Sequence, residues 1–319
     1  MPVSLCLVGD IGGTNARFAI AERRDGAIRL VDPRSYVCAD FARADLAIDH
    51  YLAESGAARP DDCVLAVAGP VEDGTVTSTN GEWVLAEDDL RRHGFTRARV
   101  INDYAAQALS IGALGPQDTA LVGPNAKPAA GQTAVILGAG TGFGAAILAS
   151  DGLSETAATT EAGHAAFAPT DAVEIEILRL FTDWHGRCSI ERILSGPGFV
   201  DLRRALGVIA GAEPAPMQAA QILEAAHNGT DALCRQTVDR FVAIYGGVAG
   251  DIALTVGARG GVYLAGGIAP RMLADLQAGA FRSRFEAKGR FAAYMAAIPT
   301  RVVTHPYGAL LGAARALPA

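Results

Sequence analysis

One supersecondary pattern occurs twice in the sequence, and it constrains the fold more than any other feature. Residues 4–26, SLCLVGDIGGTNARFAIAERRDG, predict an apolar strand, a glycine turn, an alternating strand and an Asp-Gly turn. Residues 133–152, TAVILGAGTGFGAAILASDG, repeat this order without long identity. A duplication on this scale predicts two half-domains that are built alike.

Strands and helices alternate through the rest of the chain. Apolar residues at helical spacing predict a helix in residues 41–56, and residues 97–103 predict a strand that leads directly into a helix. The second half turns largely helical, most clearly over residues 230–257, and ends with a strand at 300–305 and a helix of small residues at 307–317. The predicted fold class is therefore α/β.

Length and composition limit the classes of protein to which the chain can belong. A chain of 319 residues predicts about two domains, and 50% hydrophobic with 19% charged residues is typical of a globular protein. A net charge of −7 argues against nucleic-acid binding. We find no signal peptide or membrane helix pattern, and expect a cytoplasmic protein. Free thiols are expected because the five cysteines are scattered and odd in number; they are Cys6, Cys38, Cys63, Cys188 and Cys234.

Glycine clusters follow three of the predicted strands, at residues 10–15, 138–144 and 266–267. Such turns can simply close a β-hairpin, or they can expose main-chain N–H groups to a phosphate. No segment matches the P-loop pattern G-x-x-x-x-G-K-[ST]. A dinucleotide fingerprint is disfavoured because Phe143 occupies the third glycine position and a strand, not a helix, follows.

DIGGTN, GAGTGFG and LAGGI, in this order, resemble the two phosphate loops and the adenosine segment of the actin-like ATPase superfamily. The resemblance implies a two-lobed, ribonuclease H-like α/β fold with duplicated half-domains and an active-site cleft between them. It also implies ATP as cofactor, with Asp10 helping to hold Mg²⁺. The implied nucleotide contacts are Asp10, Gly12, Gly13, Thr14, Asn15, Gly138, Gly140, Thr141, Gly142, Gly266 and Gly267.

Within that superfamily the sequence is similar to the zinc-free bacterial glucokinases over nearly its whole length. The matching segments are GDIGGTNAR, VAGPV, TNGEW, VINDYAAQAL, GAGTGFG, TEAGH, ERILSGPG, GGVYLAGGIAPR and KGRF. The related ROK proteins carry a cysteine-rich zinc motif after the glutamate–histidine segment, where this chain offers only Cys188. The resemblance implies ATP-dependent phosphorylation of glucose at the 6-hydroxyl, the entry step of glycolysis.

Asn102 and Asp103 stand where a predicted strand ends and a helix begins. Asp103 suits the helix N-cap, and it also suits a catalytic carboxylate at the carboxyl end of a strand. Transfer of a phosphoryl group to an alcohol needs an acceptor for the hydroxyl proton. The resemblance assigns that role to Asp103 and implies that Asp103 and Asn102 both contact the sugar.

The segment TEAGH carries Glu161 and His164. Their spacing can belong to a metal site or to an ordinary polar loop, but Gly163 and the lack of a companion motif disfavour metal. In the glucokinase pattern Glu161, His164 and the later Glu191 contact sugar hydroxyls. Asn80 is a further sugar-side candidate, and Trp83 beside it is expected to pack in the core.

The resemblance predicts a small lobe of residues 1–110 plus 303–319 and a large lobe of residues 111–302. Glucose and ATP are the expected partners, a homodimer is expected by analogy, and no nucleic acid or membrane is expected. Three alternatives stay open at this point: a kinase of another hexose or amino sugar, a non-catalytic sugar-sensing regulator, and a chaperone-type ATPase.

Overall fold

The computed structural model describes residues 3–77 and 83–317. Alternating apolar residues and Gly or Asp-Gly turns produce strands where the sequence predicts them. The strands are β1 (Ser4–Ile11), β2 (Asn15–Arg24), β3 (Ala27–Val37), β4 (Asp62–Val67), β5 (Thr75–Thr77), β6 (Val84–Ala86), β7 (Arg97–Asn102), β8 (Thr119–Leu121), β9 (Ala134–Ala139), β10 (Phe143–Ser150), β11 (Glu155–Thr160), β12 (Gly261–Ala265) and β13 (Thr300–Val303).

Most of the longer helices begin at a side-chain cap and several end at a glycine. Asp171 and Asp231 accept hydrogen bonds from the first turns of their helices, and Gly186 and Gly257 end the same helices in the left-handed conformation. The helices are α1 (Ala44–Ser55), α2 (Glu87–Arg92), α3 (Asp103–Ser110), α4 (Ala172–His185), α5 (Ile190–Ile193), α6 (Gly196–Ile209), α7 (Ala219–His227), α8 (Ala232–Val256), α9 (Leu273–Gln277), α10 (Ala280–Glu286), α11 (Ala292–Ala296) and α12 (Gly308–Arg315). No helix in the described ranges is long and apolar enough to cross a membrane.

The chain forms two compact units. The first comprises Met1–Asp118, Thr156–Thr159 and His305–Ala319, and the second comprises Thr119–Glu155 and Thr160–Thr304. The lobe boundaries that the resemblance implies, near residues 110 and 303, stay a prediction.

The first unit is built on a five-stranded sheet of order β3-β2-β1-β4-β7. Successive residues of its strands face opposite sides, so the sheet supports two cores. Leu7 and Leu65 pack on the side of α1, whereas Val8 and Val64 pack with Leu310 of α12 on the other side.

The second unit is built on a six-stranded sheet of order β11-β10-β9-β12-β13-β8. The long helix α8 supplies buried aromatic residues to its core, among them Phe241 and Tyr245. Tyr245 also reaches the sheet, where its hydroxyl donates to the carbonyl of Leu137 at 3.4 Å.

The two sheets share one topology, as the repeated sequence pattern predicts. In the first, β1 pairs with β2 antiparallel and with β4 parallel. In the second, β9 pairs with β10 antiparallel and with β12 parallel. The next parallel strands are β7 and β13, and the second sheet adds β8 at its edge.

Candidate active site

The parallel strands of the first unit bring three predicted site residues to one edge of the sheet. In the register of the sheet, Ile11 at the end of β1 lies opposite Val67 of β4, and Val67 lies opposite Asn102 of β7. Asp10, the first glycine turn, Asn102 and Asp103 therefore share the carboxyl edge, where ligands of open α/β sheets bind.

Asp103 is the first residue of α3 and is mostly shielded from solvent. Its Oδ1 accepts a hydrogen bond from its neighbour's amide, Tyr104 N, at 2.9 Å. Burial is the main cause that raises the pKa of Asp103 to about 6, and the negative charge of Asp10 adds to it. A carboxylate with this pKa is ionised at neutral pH and holds a proton more readily than an ordinary aspartate.

Asn102, not Asp103, caps α3. Its Oδ1 accepts from Tyr104 N at 2.9 Å and from Ala105 N at 3.2 Å, and its Nδ2 donates to the carbonyl of Gly69 at 2.9 Å. The interpretation of Asp103 as the N-cap is therefore wrong, since the preceding residue satisfies the helix amides. The Asn102 side chain also hydrogen-bonds Asp103, which opposes part of the rise in the pKa of that carboxyl caused by burial.

Asp10 lies one residue before the end of β1, opposite Arg17 of β2. Its Oδ2 accepts from Arg17 Nη1 at 3.0 Å, and its side chain is 20% exposed. Burial raises the pKa of Asp10, and the charge of Arg17 opposes that rise. Sequence reasoning missed this arginine, although the hairpin pattern places it opposite Asp10.

The residues around Asp10 fit a hydrated Mg²⁺. Asp10 and Asp103 lie close enough for the charge of one to raise the pKa of the other, and two neighbouring carboxylates favour a divalent cation. Among residues 3–77 and 83–317, no group of three or more His, Cys, Asp and Glu side chains forms a metal site. A magnesium ion here would therefore take its remaining ligands from water and a nucleotide, as Mg²⁺ commonly does.

The first glycine turn closes the β1–β2 hairpin. Gly12 N donates to Asn15 O at 2.9 Å, and Cys38 N donates to Thr14 O at 2.9 Å. Gly12 does not have a positive φ, and an added Cβ would only contact Asn15 O at 3.6 Å. Neither backbone conformation nor packing requires glycine here, so the open space suits close approach of a ligand to the main chain.

The second and third glycine clusters lie side by side in the second unit. Gly138 of β9 pairs with Ala265 of β12, and Ile268 N donates to Ala139 O at 3.3 Å. An added Cβ on Gly138 would lie 2.7 Å from Ala265 O, so this glycine is needed for packing.

Gly140 and Gly267 differ from Gly138. Neither has a positive φ, and apart from the adjacent residues no described atom lies within 4 Å of a Cβ built on either residue. Each of the three predicted nucleotide segments thus contains a glycine whose replacement by alanine the protein itself would tolerate.

The predicted sugar residues of the second unit lie on two paired segments. Ile190 N donates to Ala165 O at 2.9 Å, and Phe167 N donates to Cys188 O at 3.1 Å. These bonds bring Glu161 and His164 into the neighbourhood of Glu191. The Glu161 and His164 side chains are 88% and 61% exposed, and His164 Nε2 lies 3.8 Å from Glu161 Oε2.

The remaining candidates are placed as follows. Asn80 lies outside the described residues. Trp83 is buried and donates to Phe41 O at 3.1 Å, which confirms its packing role. Cys188 is buried in the second core, where burial raises its pKa to about 12. All five cysteines are free, as predicted.

Comparison with known proteins decides the family. The family model Glucokinase matches residues 7–319. A glucokinase of Caulobacter sp. (strain K31) is 53% identical over 316 residues, which cover 99% of this chain and 95% of that protein. The chain belongs to the glucokinase family.

Solved structures agree with this assignment. A glucokinase from an Antarctic psychrotroph has a TM-score of 0.92 and 33% identity, covering 98% of each chain. A ROK family glucokinase from Streptomyces griseus, solved with glucose and AMPPNP, has a TM-score of 0.64 and 19% identity, again covering 98% of each chain. The second likeness concerns the fold alone, and together they confirm the predicted α/β fold of the actin-like ATPase type.

Membership of the glucokinase family also excludes two of the three alternative functions. The chain is an enzyme that uses ATP, so neither a non-catalytic regulator nor a chaperone-type ATPase fits it.

Proposed function

We propose that this glucokinase family member transfers the γ-phosphoryl group of ATP to the 6-hydroxyl of glucose, giving glucose 6-phosphate and ADP. The observation that carries the proposal is Asp103, a shielded carboxylate with a pKa of about 6 at the carboxyl edge of the first sheet. Full-length similarity to glucokinases supports the choice of substrate.

In the proposed reaction the 6-hydroxyl oxygen attacks the γ-phosphorus and gives its proton to the Asp103 carboxylate. The bond from the γ-phosphorus to the oxygen that bridges it to the β-phosphate breaks, and ADP leaves with that oxygen. The cap bonds of Asn102 fix the start of α3, so the base is held in place before the sugar binds.

The glycine turns are proposed to bind the nucleotide. Main-chain N–H groups around Gly12 and Gly140 contact phosphates, and the Gly266-Gly267 segment contacts the adenosine. The open Cβ positions of Gly12, Gly140 and Gly267 support this role. Mg²⁺, held through Asp10, would neutralise charge on the phosphates.

Specificity for the sugar is assigned to Asn102, Asp103, Glu161, His164 and Glu191, with Asn80 as a further contact. Carboxylates accept hydrogen bonds from hydroxyls, and imidazole can donate or accept. A sugar that lacks a matching hydroxyl would leave a polar group unpaired, which costs about 1–3 kcal/mol.

A coupled ADP-release assay across a panel of hexoses and amino sugars tests the proposal. Glucose should give the highest kcat/KM with ATP as donor. A higher kcat/KM for mannose, fructose or an amino sugar would replace glucose as the substrate. Formation of glucose 6-phosphate from polyphosphate without ATP, measured directly, would replace ATP as the donor.

Two further expectations belong to this proposal. A cytoplasmic location accords with the intracellular supply of ATP. A homodimer stays a prediction from the family resemblance, and sedimentation equilibrium of the purified chain tests it.

A further inference from the structure

Glu191 reaches from α5 to a motif 48 residues earlier in the chain. Its Oε2 accepts a hydrogen bond from the backbone N of Phe143 at 2.8 Å. Phe143 is the first residue of β10 and directly follows the second glycine turn. A carboxylate that was assigned to the sugar therefore also holds the proposed phosphate loop.

The Glu191 carboxylate packs tightly against the second glycine turn. A Cβ on Gly142 would overlap Oε2 of Glu191, and a Cβ on Gly163 would overlap the carbonyl oxygen of Phe143. Gly163 lies between Glu161 and His164. The backbone at Phe143 is thus packed between the two segments that carry the sugar candidates.

The turn has a second tie to the same region. Gly196 N, at the start of α6, donates to Gly140 O at 2.8 Å, and Gly140 N donates to Gly142 O at 2.8 Å. The loop is fixed at Gly140 by the main chain and at Phe143 by the Glu191 side chain. Of these two contacts, only the hydrogen bond between Phe143 N and Glu191 can change when a ligand binds to the Glu191 side chain.

We propose that Glu191 is a positioning residue that couples the sugar to the second glycine turn. Oε2 holds the turn, while Oε1, which has no hydrogen bond from any described residue, accepts from a sugar hydroxyl. The inference rests on the proposed function. Because coupling between two ligands is reciprocal, glucose strengthens nucleotide binding through this carboxylate, and the nucleotide strengthens glucose binding equally.

Titration calorimetry with AMPPNP in the absence of sugar tests the tie to the turn. Glu191→Ala should bind AMPPNP about tenfold more weakly, since a hydrogen bond to a charged group is lost. Glu191→Gln should stay within about twofold of wild type, because its amide oxygen still accepts from Phe143 N. The matched control is Glu161→Ala, whose carboxylate is exposed and does not touch the turn; its AMPPNP affinity should equal that of wild type.

Glu191→Asp is a second variant for the case in which Glu191→Ala does not fold. It keeps the charge but shortens the side chain by one methylene. Thermal unfolding should show that it is folded, and its AMPPNP affinity should fall as in Glu191→Ala. Wild-type AMPPNP affinity in whichever of the two variants folds overturns the proposal. A wild-type enzyme that binds no AMPPNP contradicts the proposed function itself, which separates the two failures.

Repeating the titrations at saturating glucose tests the coupling. Glucose should increase the AMPPNP affinity of wild type, and of Glu161→Gln once glucose is raised to saturation. In Glu191→Gln the increase should be clearly smaller, although its affinity without sugar is normal. An equal increase in Glu191→Gln and wild type overturns the coupling, and it does so even if both the alanine and aspartate variants unfold.

Discussion

The carboxylate of Asp103 is shielded from solvent and is not needed to cap α3, because Asn102 caps that helix. Replacing Asp103 by Asn keeps the size of the side chain and an oxygen for Tyr104 N, but removes the acceptor for the hydroxyl proton. We expect kcat to fall by about 10²–10⁴, with glucose affinity within about tenfold of wild type. Steady-state kinetics and glucose titration measure the two quantities, and a near-normal kcat would exclude Asp103 as the base.

The pKa of Asp103 gives a second prediction, on pH. The base must be deprotonated, and burial raises its pKa from 3.8 to about 6. The active fraction is therefore nearly complete at pH 8 and falls as pH drops through 6, so kcat/KM at pH 5 should be about tenfold below its plateau. A pH profile of kcat/KM checks this expectation, and an acidic limb near pH 4 would show an ordinary carboxylate.

The sequence predicted which residues belong to the site better than it predicted the hydrogen bonds that they form. It proposed Asp103 and Glu191 from motifs, but it did not find that Asn102 is the cap of α3 or that Glu191 bonds Phe143 N. Both asparagine and aspartate are good caps, so adjacent candidates cannot be separated by preference alone. The contact from Glu191 to Phe143 joins residues 48 positions apart, and no local pattern encodes it.

At the scale of elements, the glycine turns separate into positions that folding requires and positions that it does not. Gly138 of β9 lies against Ala265 O, whereas the space beside Gly140 is open. The hairpins themselves were predictable because alternating apolar strands flank a glycine turn. Which glycine serves packing was not predictable, because that depends on the neighbouring strand β12.

This difference predicts opposite effects of two alanine substitutions. Gly140→Ala should leave the free energy of unfolding unchanged or raise it by about 0.4–1 kcal/mol, since alanine reduces the entropy of the unfolded chain. Its AMPPNP affinity should fall about tenfold, because the methyl group obstructs the approach of phosphate to the main chain.

Gly138→Ala is the matched variant, in the strand that leads into the same turn. It should lower the free energy of unfolding by about 1–3 kcal/mol through overpacking against Ala265 O. Denaturant unfolding and calorimetry distinguish the two. Normal nucleotide binding by Gly140→Ala would remove this turn from the phosphate site.

At the scale of the whole molecule, the chain returns to its first unit after completing the second. Helix α12 joins the core beside Val8 and Val64, and Arg99 Nη1 donates to Ala316 O at 2.6 Å. The resemblance, rather than composition or periodicity, predicted this return. A local pattern indicates that a helix of small residues forms, but it does not indicate the sheet against which the helix packs.

A buried ion pair between β2 and β4 holds an arginine that also binds the C-terminal segment. Arg23 Nη2 lies 2.5 Å from Asp62 Oδ2, and the two side chains are 6% and 3% exposed. Arg23 Nη1 also donates to Leu317 O at 2.9 Å. Arg97 adds a second pair to Asp62, at 2.6 Å, from a side chain that is 46% exposed. Asp62 thus orients the arginine that holds the end of the chain.

Asp62→Ala leaves the Arg23 charge buried without its carboxylate, so we expect the free energy of unfolding to fall by about 3–5 kcal/mol. Asp251→Ala is the control: it removes a carboxylate that is 59% exposed and paired with Lys288, and it should cost about 1 kcal/mol or less. Urea unfolding followed by circular dichroism compares the two variants. Equal losses would mean that the buried pair contributes no more to stability than an exposed one, and the C-terminal segment would then be held by the apolar packing of α12.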